Sequence, residues 1–175
     1  ATAPTLLPMA SLAQVPPAKT QLPTGGQVTA GQARVSQSGA TMTITQDSAR
    51  AAINWKSFDV GSQAQVNIAQ PSSSSVLLNR VQSSDPSQIF GRITSNGQVF
   101  LSNPSGVYFS PTASVDVGAL VATSHSISDA HFRQLISNQE AVLFVTDDNW
   151  RLNRRNVANA DNRVLQHRTI VADQR

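Results

Sequence analysis

The chain has no cysteine in its 175 residues. This excludes a disulfide framework, a thiolate metal site and a cysteine nucleophile, so the fold must stand on packing and backbone hydrogen bonds. A cysteine-free chain is compatible with a protein that crosses an oxidising space without being locked by disulfides. Charge is scarce too: 13 % of residues are Asp, Glu, Lys or Arg, against a usual share of ~25 %. Exposed helix faces draw on those residues for propensity and ion pairs, so a helical protein is disfavoured and strands with polar turns fit better. No apolar run approaches the ~18 residues of a membrane-spanning helix. Aromatic residues amount to 5 %.

What charge there is does not form a nucleic-acid face. The formal net charge is +3. Up to Asp129 there are 6 Lys or Arg against 5 Asp or Glu, and from Ala130 to Arg175 there are 7 against 5, including Arg151, Arg154 and Arg155. The basicity is mostly in the tail. Phosphate binding calls for a dense basic face, with aromatic platforms where the strand is single, and the front section has neither. No nucleic-acid partner is expected.

The N-terminus reads "ATAPTLLPMASLAQ". Leu6, Leu7, Met9 and Ala10 form a short apolar remnant, and Ser11-Leu12-Ala13 is a small-x-small site of the kind signal peptidase uses. Residues 1–21 therefore read as a signal-peptide remnant with a Pro-rich leader. From Val28 onward the pattern is one of short strands. "ARVSQSGATMTITQ" alternates around Val35, Met42 and Ile44 with Ser38-Gly39 as the turn, and "QVNIAQP" alternates around Val66 and Ile68. "AAINWKSFDVGS" reads as a strand, a turn and another strand, and Val76-Leu77-Leu78 as a strand ending at Asn79-Arg80. Further runs follow at Ile89-Phe90, Val99-Phe100-Leu101, Val107-Tyr108-Phe109 and Val115 to Val121.

Such strand-after-strand spacing suits a sandwich, a barrel or a parallel solenoid. Several runs are nearly continuously apolar and only three to five residues long. Short buried strands between corner turns are what one coil of a β-solenoid supplies, since each strand stacks on the next coil and not on its sequence neighbour. A solenoid needs an N-terminal cap to cover its first unpaired edge, and the alternating segment from Val28 to Ile68 is the natural candidate.

No catalytic constellation is apparent. Glycoside cleavage needs two carboxyls flanking the bond, and a lyase needs a base with a cation or metal. The carboxylates of the front section, Asp47, Asp59, Asp85, Asp116 and Asp129, share no short motif, and His125, His131 and His167 lack metal-site spacing. No Gly-x-Ser-x-Gly nucleophile turn occurs. No enzyme activity, metal or cofactor is expected.

The ordered series Ile53-Asn54-Trp55, Phe58, Val60-Gly61, Gln70-Pro71, Asn79-Arg80-Val81, Pro86 to Gly91, Ser95 to Leu101, Asn103-Pro104-Ser105-Gly106-Val107-Tyr108-Phe109 and Asp116 to Thr123 resembles the two-partner-secretion domain of filamentous-haemagglutinin-type exoproteins. The resemblance runs from about Leu22 to Ser128. It implies an all-β fold, a right-handed parallel β-helix with an N-terminal β-sheet cap. It further implies a secreted or cell-surface exoprotein of a Gram-negative bacterium, an adhesin, haemagglutinin or contact-dependent toxin. The implied partner is a cognate outer-membrane β-barrel transporter with periplasmic recognition domains. The family's Asn-Pro-Asn-Gly-Ile signature maps onto Asn103, Pro104, Ser105, Gly106 and Val107, with Ser105 and Val107 as the departures. Its Asn-Pro-Asn-Leu signature has no counterpart, which places the chain nearer the branch marked by Asn79, Arg80 and Val81. These eight residues are the candidate recognition site.

The residues also have a plainer reading. Pro104 suits the second position of a β-turn, Asn103 can cap that turn, and Gly106 allows a positive φ, so the first job of the tetrapeptide is structural. In a solenoid a corner Asn79 or Asn96 bonds neighbouring coils; Asn96-Gly97 also reads as a tight type I′ link. Arg80 and Arg92 are candidates to meet carboxylates on a transporter, or else solvated cations. The alternative function is a directly adhesive β-helix that binds glycans or a host-cell surface; clustered exposed aromatics would mark it, and only Trp55, Tyr108 and Trp150 are available besides six Phe.

After Asp129 the pattern changes. Gly is absent and Arg, Asn and Asp rise. Residues 129–175 form an atypical tail, either a natural variant of further coils or a truncated or frameshifted end, with "DAHFRQLIS" as a short helix and "EAVLFVTDDN" as a strand and turn. Lower order is expected across Arg151 to Arg175.

Overall fold

A computed structural model describes residues 15–124, 126–128, 130 and 132, together with the backbone of three later strands. The strands stack as coils. On the first face β3 (Thr41–Gln46), β5 (Gln65–Ala69), β8 (Arg92–Ser95) and β11 (Ser114–Asp116) form a parallel ladder. On the second, β4 (Arg50–Trp55), β6 (Val76–Val81), β9 (Gln98–Ser102) and β12 (Ala119–Thr123) do the same. The third face is shorter: β7 (Ser87–Ile89) pairs with β10 (Val107–Phe109), and Val60 bridges to Ile89. The molecule is an all-β parallel solenoid.

Register explains why short apolar runs suffice. Met42, Val66, Ile93 and Val115 lie in line on successive first-face strands, as do Ala51, Leu77, Val99 and Leu120 on the second, and all eight are buried. Each strand therefore needs only two or three inward side chains, because the coils above and below complete the packing. Fully burying one Val or Leu is worth roughly 1.5–3 kcal/mol, so each added coil is held mainly by these columns. The strand expected to end at Asn79-Arg80 continues through Val81.

The cap is smaller than the sequence pattern suggested. It consists of β1 (Gln27–Ala30), antiparallel to β4, and β2 (Ala33–Ser38), antiparallel to β3. The β2–β3 turn at Ser38-Gly39 is as expected. β3, β4 and β5 already belong to coils, since β3 pairs in parallel with β5 and β4 with β6. Ahead of β1, Thr24 bridges to Ser57, the Gly61 amide donates to Gln21 O at 2.9 Å and the Gln63 amide to Lys19 O at 2.8 Å. Residues 19–38 thus meet the first coil on all three faces.

A second apolar cluster lies outside the coils. Ala52, Val76 and Leu78 on the outer side of the second sheet are covered by Ile127 and Phe132, with Phe100 packed alongside. The Phe100 and Phe132 rings meet edge to face at 6.0 Å. Beyond the coils, β13 (Trp150–Leu152) pairs antiparallel with β14 (Val157–Asn159), and β15 (Thr169–Asp173) pairs antiparallel with β12. Of the expected signal-peptide remnant and leader at 1–21, residues 1–14 lie outside the described residues, as do the expected "EAVLFVTDDN" strand and all of the expected "DAHFRQLIS" helix except Ala130 and Phe132.

Candidate functional site

Asn103 to Gly106 turn the corner between β9 and β10. Asn103 is fully buried, which for an amide side chain requires every polar atom to find a partner. Its Nδ2 donates to Asp85 O at 3.1 Å and to Ser87 Oγ at 3.0 Å, while its Oδ1 accepts the Ser105 amide at 2.9 Å. The Gly106 amide closes the turn on Asn103 O at 2.8 Å, and the Asn103 amide donates to Thr123 O on the following coil at 3.0 Å. The side chain that departs from the family signature is also engaged: Ser105 Oγ donates to Ser83 O at 2.6 Å. Gly106 has a φ of 107°, a region that strains any L side chain, and its carbonyl accepts the Ser87 amide. Val107 is buried, leaving Pro104 as the one exposed residue of the five.

The corner therefore clamps the irregular loop 82–86 of the preceding coil. Ser83 O and Asp85 O are loop carbonyls with no ladder of their own, and the Asn103 and Ser105 side chains supply their donors.

Asn79, Arg80 and Val81 sit on β6 and not on a corner. Asn79 occupies an inward position in register with Ile53 and Leu101 and has no exposed surface. Its Oδ1 accepts the Trp55 indole Nε1 at 3.0 Å and its Nδ2 donates to Phe100 O at 3.2 Å, joining the coils on either side. Arg80 points outward but is not a solvated cation. Its Nε donates to Asn54 Oδ1 at 2.9 Å, one terminal nitrogen to Thr29 Oγ1 at 3.0 Å and the other to Ile127 O at 3.5 Å. Val81 is buried and in register with Trp55. The two motifs are thus brought into one stack without sharing a surface patch.

Asn96 corrects the expectation of a type I′ link. That turn needs positive φ at both central residues, and Gly97 is not among the positive-φ glycines. Glycine is needed at 97 for space, since a Cβ there would lie 2.6 Å from Gln70 Oε1. The Asn96 amide instead imitates a strand, with Oδ1 accepting the Gln70 amide at 2.8 Å and Nδ2 donating to Gln70 O at 2.8 Å. Sequence reasoning missed the column beneath it. Gln70 Nε2 reaches Gln46 Oε1 at 3.1 Å, Ser75 O at 3.2 Å and Gln98 O at 3.2 Å, and the Ser95 hydroxyl donates to Gln70 Oε1. The available signal was a glutamine at the end of each first-face run, Gln46 as the last residue of β3 and Gln70 directly after β5.

Beside the clamped loop, Asp59 is half-buried and its Oδ1 accepts the Gln88 amide at 2.8 Å. Burial pushes its carboxyl above the usual range, with the Asp85 charge adding to the shift and the Gln88 bond opposing it. Among the described residues no three His, Cys, Asp or Glu side chains gather as metal ligands. An open groove on the outer side of the first sheet is lined by Thr43, Asn67, Thr94, Asn96 and Asp116, without an aromatic ring.

Sealed at its first coil, pinned by buried amides and stacked in parallel, this is a capped β-solenoid module. The chain belongs to the TPS secretion domain family, whose model matches residues 19–167. It is 42 % identical over 106 residues to the heme/hemopexin-binding protein of Haemophilus influenzae (strain ATCC 51907 / DSM 11121 / KW20 / Rd), a match covering 61 % of this chain and 12 % of that protein. A second heme/hemopexin-binding protein of Haemophilus influenzae is 44 % identical over 86 residues, covering 49 % of this chain and 9 % of the relative. The crystal structure of the HMW1 secretion domain from Haemophilus influenzae superposes with a TM-score of 0.62 at 32 % identity, covering 65 % of this chain and 30 % of that one. The chain thus spans a small part of the curated relatives it matches. The family is one of secretion domains, not of enzymes in general, and TPS exoproteins are secreted proteins of Gram-negative bacteria.

Proposed function

We propose that residues 22–128 are the secretion signal of a large exoprotein and are recognised by a cognate outer-membrane β-barrel transporter through its periplasmic recognition domains. The segment is captured unfolded or partly folded, threaded outward, and folds outside the cell, where the capped first coils template the β-helix that follows. The whole exoprotein is an adhesin, haemagglutinin or contact-dependent toxin. The heme/hemopexin binding named for the relatives is not carried over, because the matched stretch covers 12 % and 9 % of those proteins.

The observation that carries this reading is the difference between the ends. Residues 19–38 cover the first coil on three faces, whereas β10 and β11 each pair only with the preceding coil among the described residues. An edge strand with free backbone groups is a template for the next strand, and here it points toward the C-terminus on two faces. Folding then supplies direction, since each coil that closes buries apolar columns that resist withdrawal.

The test is export of a reporter fused to the chain in cells with and without the transporter. Export should depend on the transporter and be lost when residues 22–128 are deleted. Transporter-dependent export that survives the deletion overturns the proposal. A pull-down of the purified chain against the transporter's periplasmic domains and against a glycan panel checks the adhesive alternative, for which the groove near Asn67 offers no stacking ring.

A further inference from the structure

Each coil of a solenoid touches only its neighbours, so stability is a sum of coil terms and nearest-neighbour interfaces, and the two ends are energetically independent. The buried amides obey that rule: Trp55 and Asn79 are 24 residues apart, Asn103 and Asp85 only 18. Arg80 does not. Its bonds to Thr29 and Ile127 span 51 and 47 residues. Thr29 lies on cap strand β1, Asn54 on the first coil, and Ile127 follows the last coil strand, where it and Phe132 cover Ala52 and Leu78. A guanidinium presents its donors in a fixed planar fork, so the three acceptors must all be in place for the side chain to satisfy them together.

We propose that Arg80 is a positioning residue that couples the cap to the segment following the coils, so that the module closes as one cooperative unit instead of fraying coil by coil. Under the secretion reading above, this contact ties the emerged chain together only once both ends have arrived. The coupling itself is a property of the folded chain in solution, and its test stands apart from any transporter.

Native-state hydrogen exchange on the 175-residue chain reads it through two amides, Thr24 bonded to Ser57 O in the cap and Phe132 bonded to Ser128 O after the coils. In the unaltered chain their opening constants should agree within about threefold, as for one cooperative unit. Thr29→Val removes the Arg80 acceptor without touching Phe132 and should speed Phe132 exchange by about three- to tenfold. Arg80→Gln should speed it by about tenfold or more, and Arg80→Lys nearly as much, because an ammonium cannot serve three separated acceptors. Adding Thr29→Val to Arg80→Gln should then change Phe132 exchange no further. Exchange at Phe132 that ignores Thr29→Val, or that responds to it equally with and without Arg80, overturns the coupling.

Discussion

Asn79 and Asn103 are both fully buried asparagines, yet they solve different problems. Asn79 stands in mid-strand among apolar columns, where it gives the Trp55 indole a partner and grips the next coil at Phe100 O. Asn103 stands at a corner, where it supplies donors to an irregular loop that no ladder serves. The first joins coils that are already in register; the second sets the shape of the coil before it. Each polar group left unpaired indoors carries its own cost, and the Asn103 side chain serves three such groups where Asn79 serves two, so the corner should matter more.

Asn103→Ala should therefore have the largest effect, a loss of about 3–4 kcal/mol in urea denaturation, since Asp85 O, Ser87 Oγ and the Ser105 amide all lose their partner. Asn79→Ala should cost about 2–3 kcal/mol, and Asn79→Leu about 1–2 kcal/mol, because leucine refills the column while leaving the indole unbonded. If Asn79→Ala proves the more damaging, the ranking of corner over strand is wrong.

Gly106→Ala tests the corner through its backbone, and with φ at 107° it should cost about 1–3 kcal/mol by the same measurement. Pro104→Ala sharpens the comparison, because Pro104 is the exposed member of the turn. Stability should change by no more than about 1 kcal/mol, and reporter export should be retained if the corner acts through its shape. Export lost at unchanged stability would mean that a partner reads the proline face directly.

The smallest effect concerns Asp59. Its carboxyl titrates above the usual value because burial disfavours the charge. The folded state thus holds the proton more tightly than the unfolded one, and Asp59's contribution falls as pH rises from the unfolded value toward the raised folded one. Asp59→Asn keeps an acceptor for the Gln88 amide. It should raise Tm slightly near neutral pH, with the difference shrinking to nothing in acid. A gap that widens on acidification would reverse the sign of the argument.

The solenoid was legible because its evidence is local. Runs such as Val99-Phe100-Leu101 and Val107-Tyr108-Phe109 are too short to stand alone, and the Asn-Pro-Ser-Gly link between them announces a corner. The limit of the cap was not legible, because β2 and β3 alternate alike and only pairing direction separates cap from coil. The side-chain bonds that keep Arg80 from being a solvated cation were not legible for a similar reason. Its partners at Thr29 and Ile127 lie far along the chain in both directions, and nothing beside Arg80 in sequence points to either. Gln46 and Gln70 look like ordinary surface amides until the coils are stacked and the two side chains meet indoors.

The antiparallel cap also acts as a stopper against pairing between molecules. A second copy of the solenoid could continue the stack only by offering parallel strands to the first coil, and β1 and β2 already occupy that position running the opposite way. Head-to-tail stacking of separate molecules by parallel pairing is thereby blocked at that starting face, and on the second sheet β15, antiparallel to β12, blocks it at the other end as well.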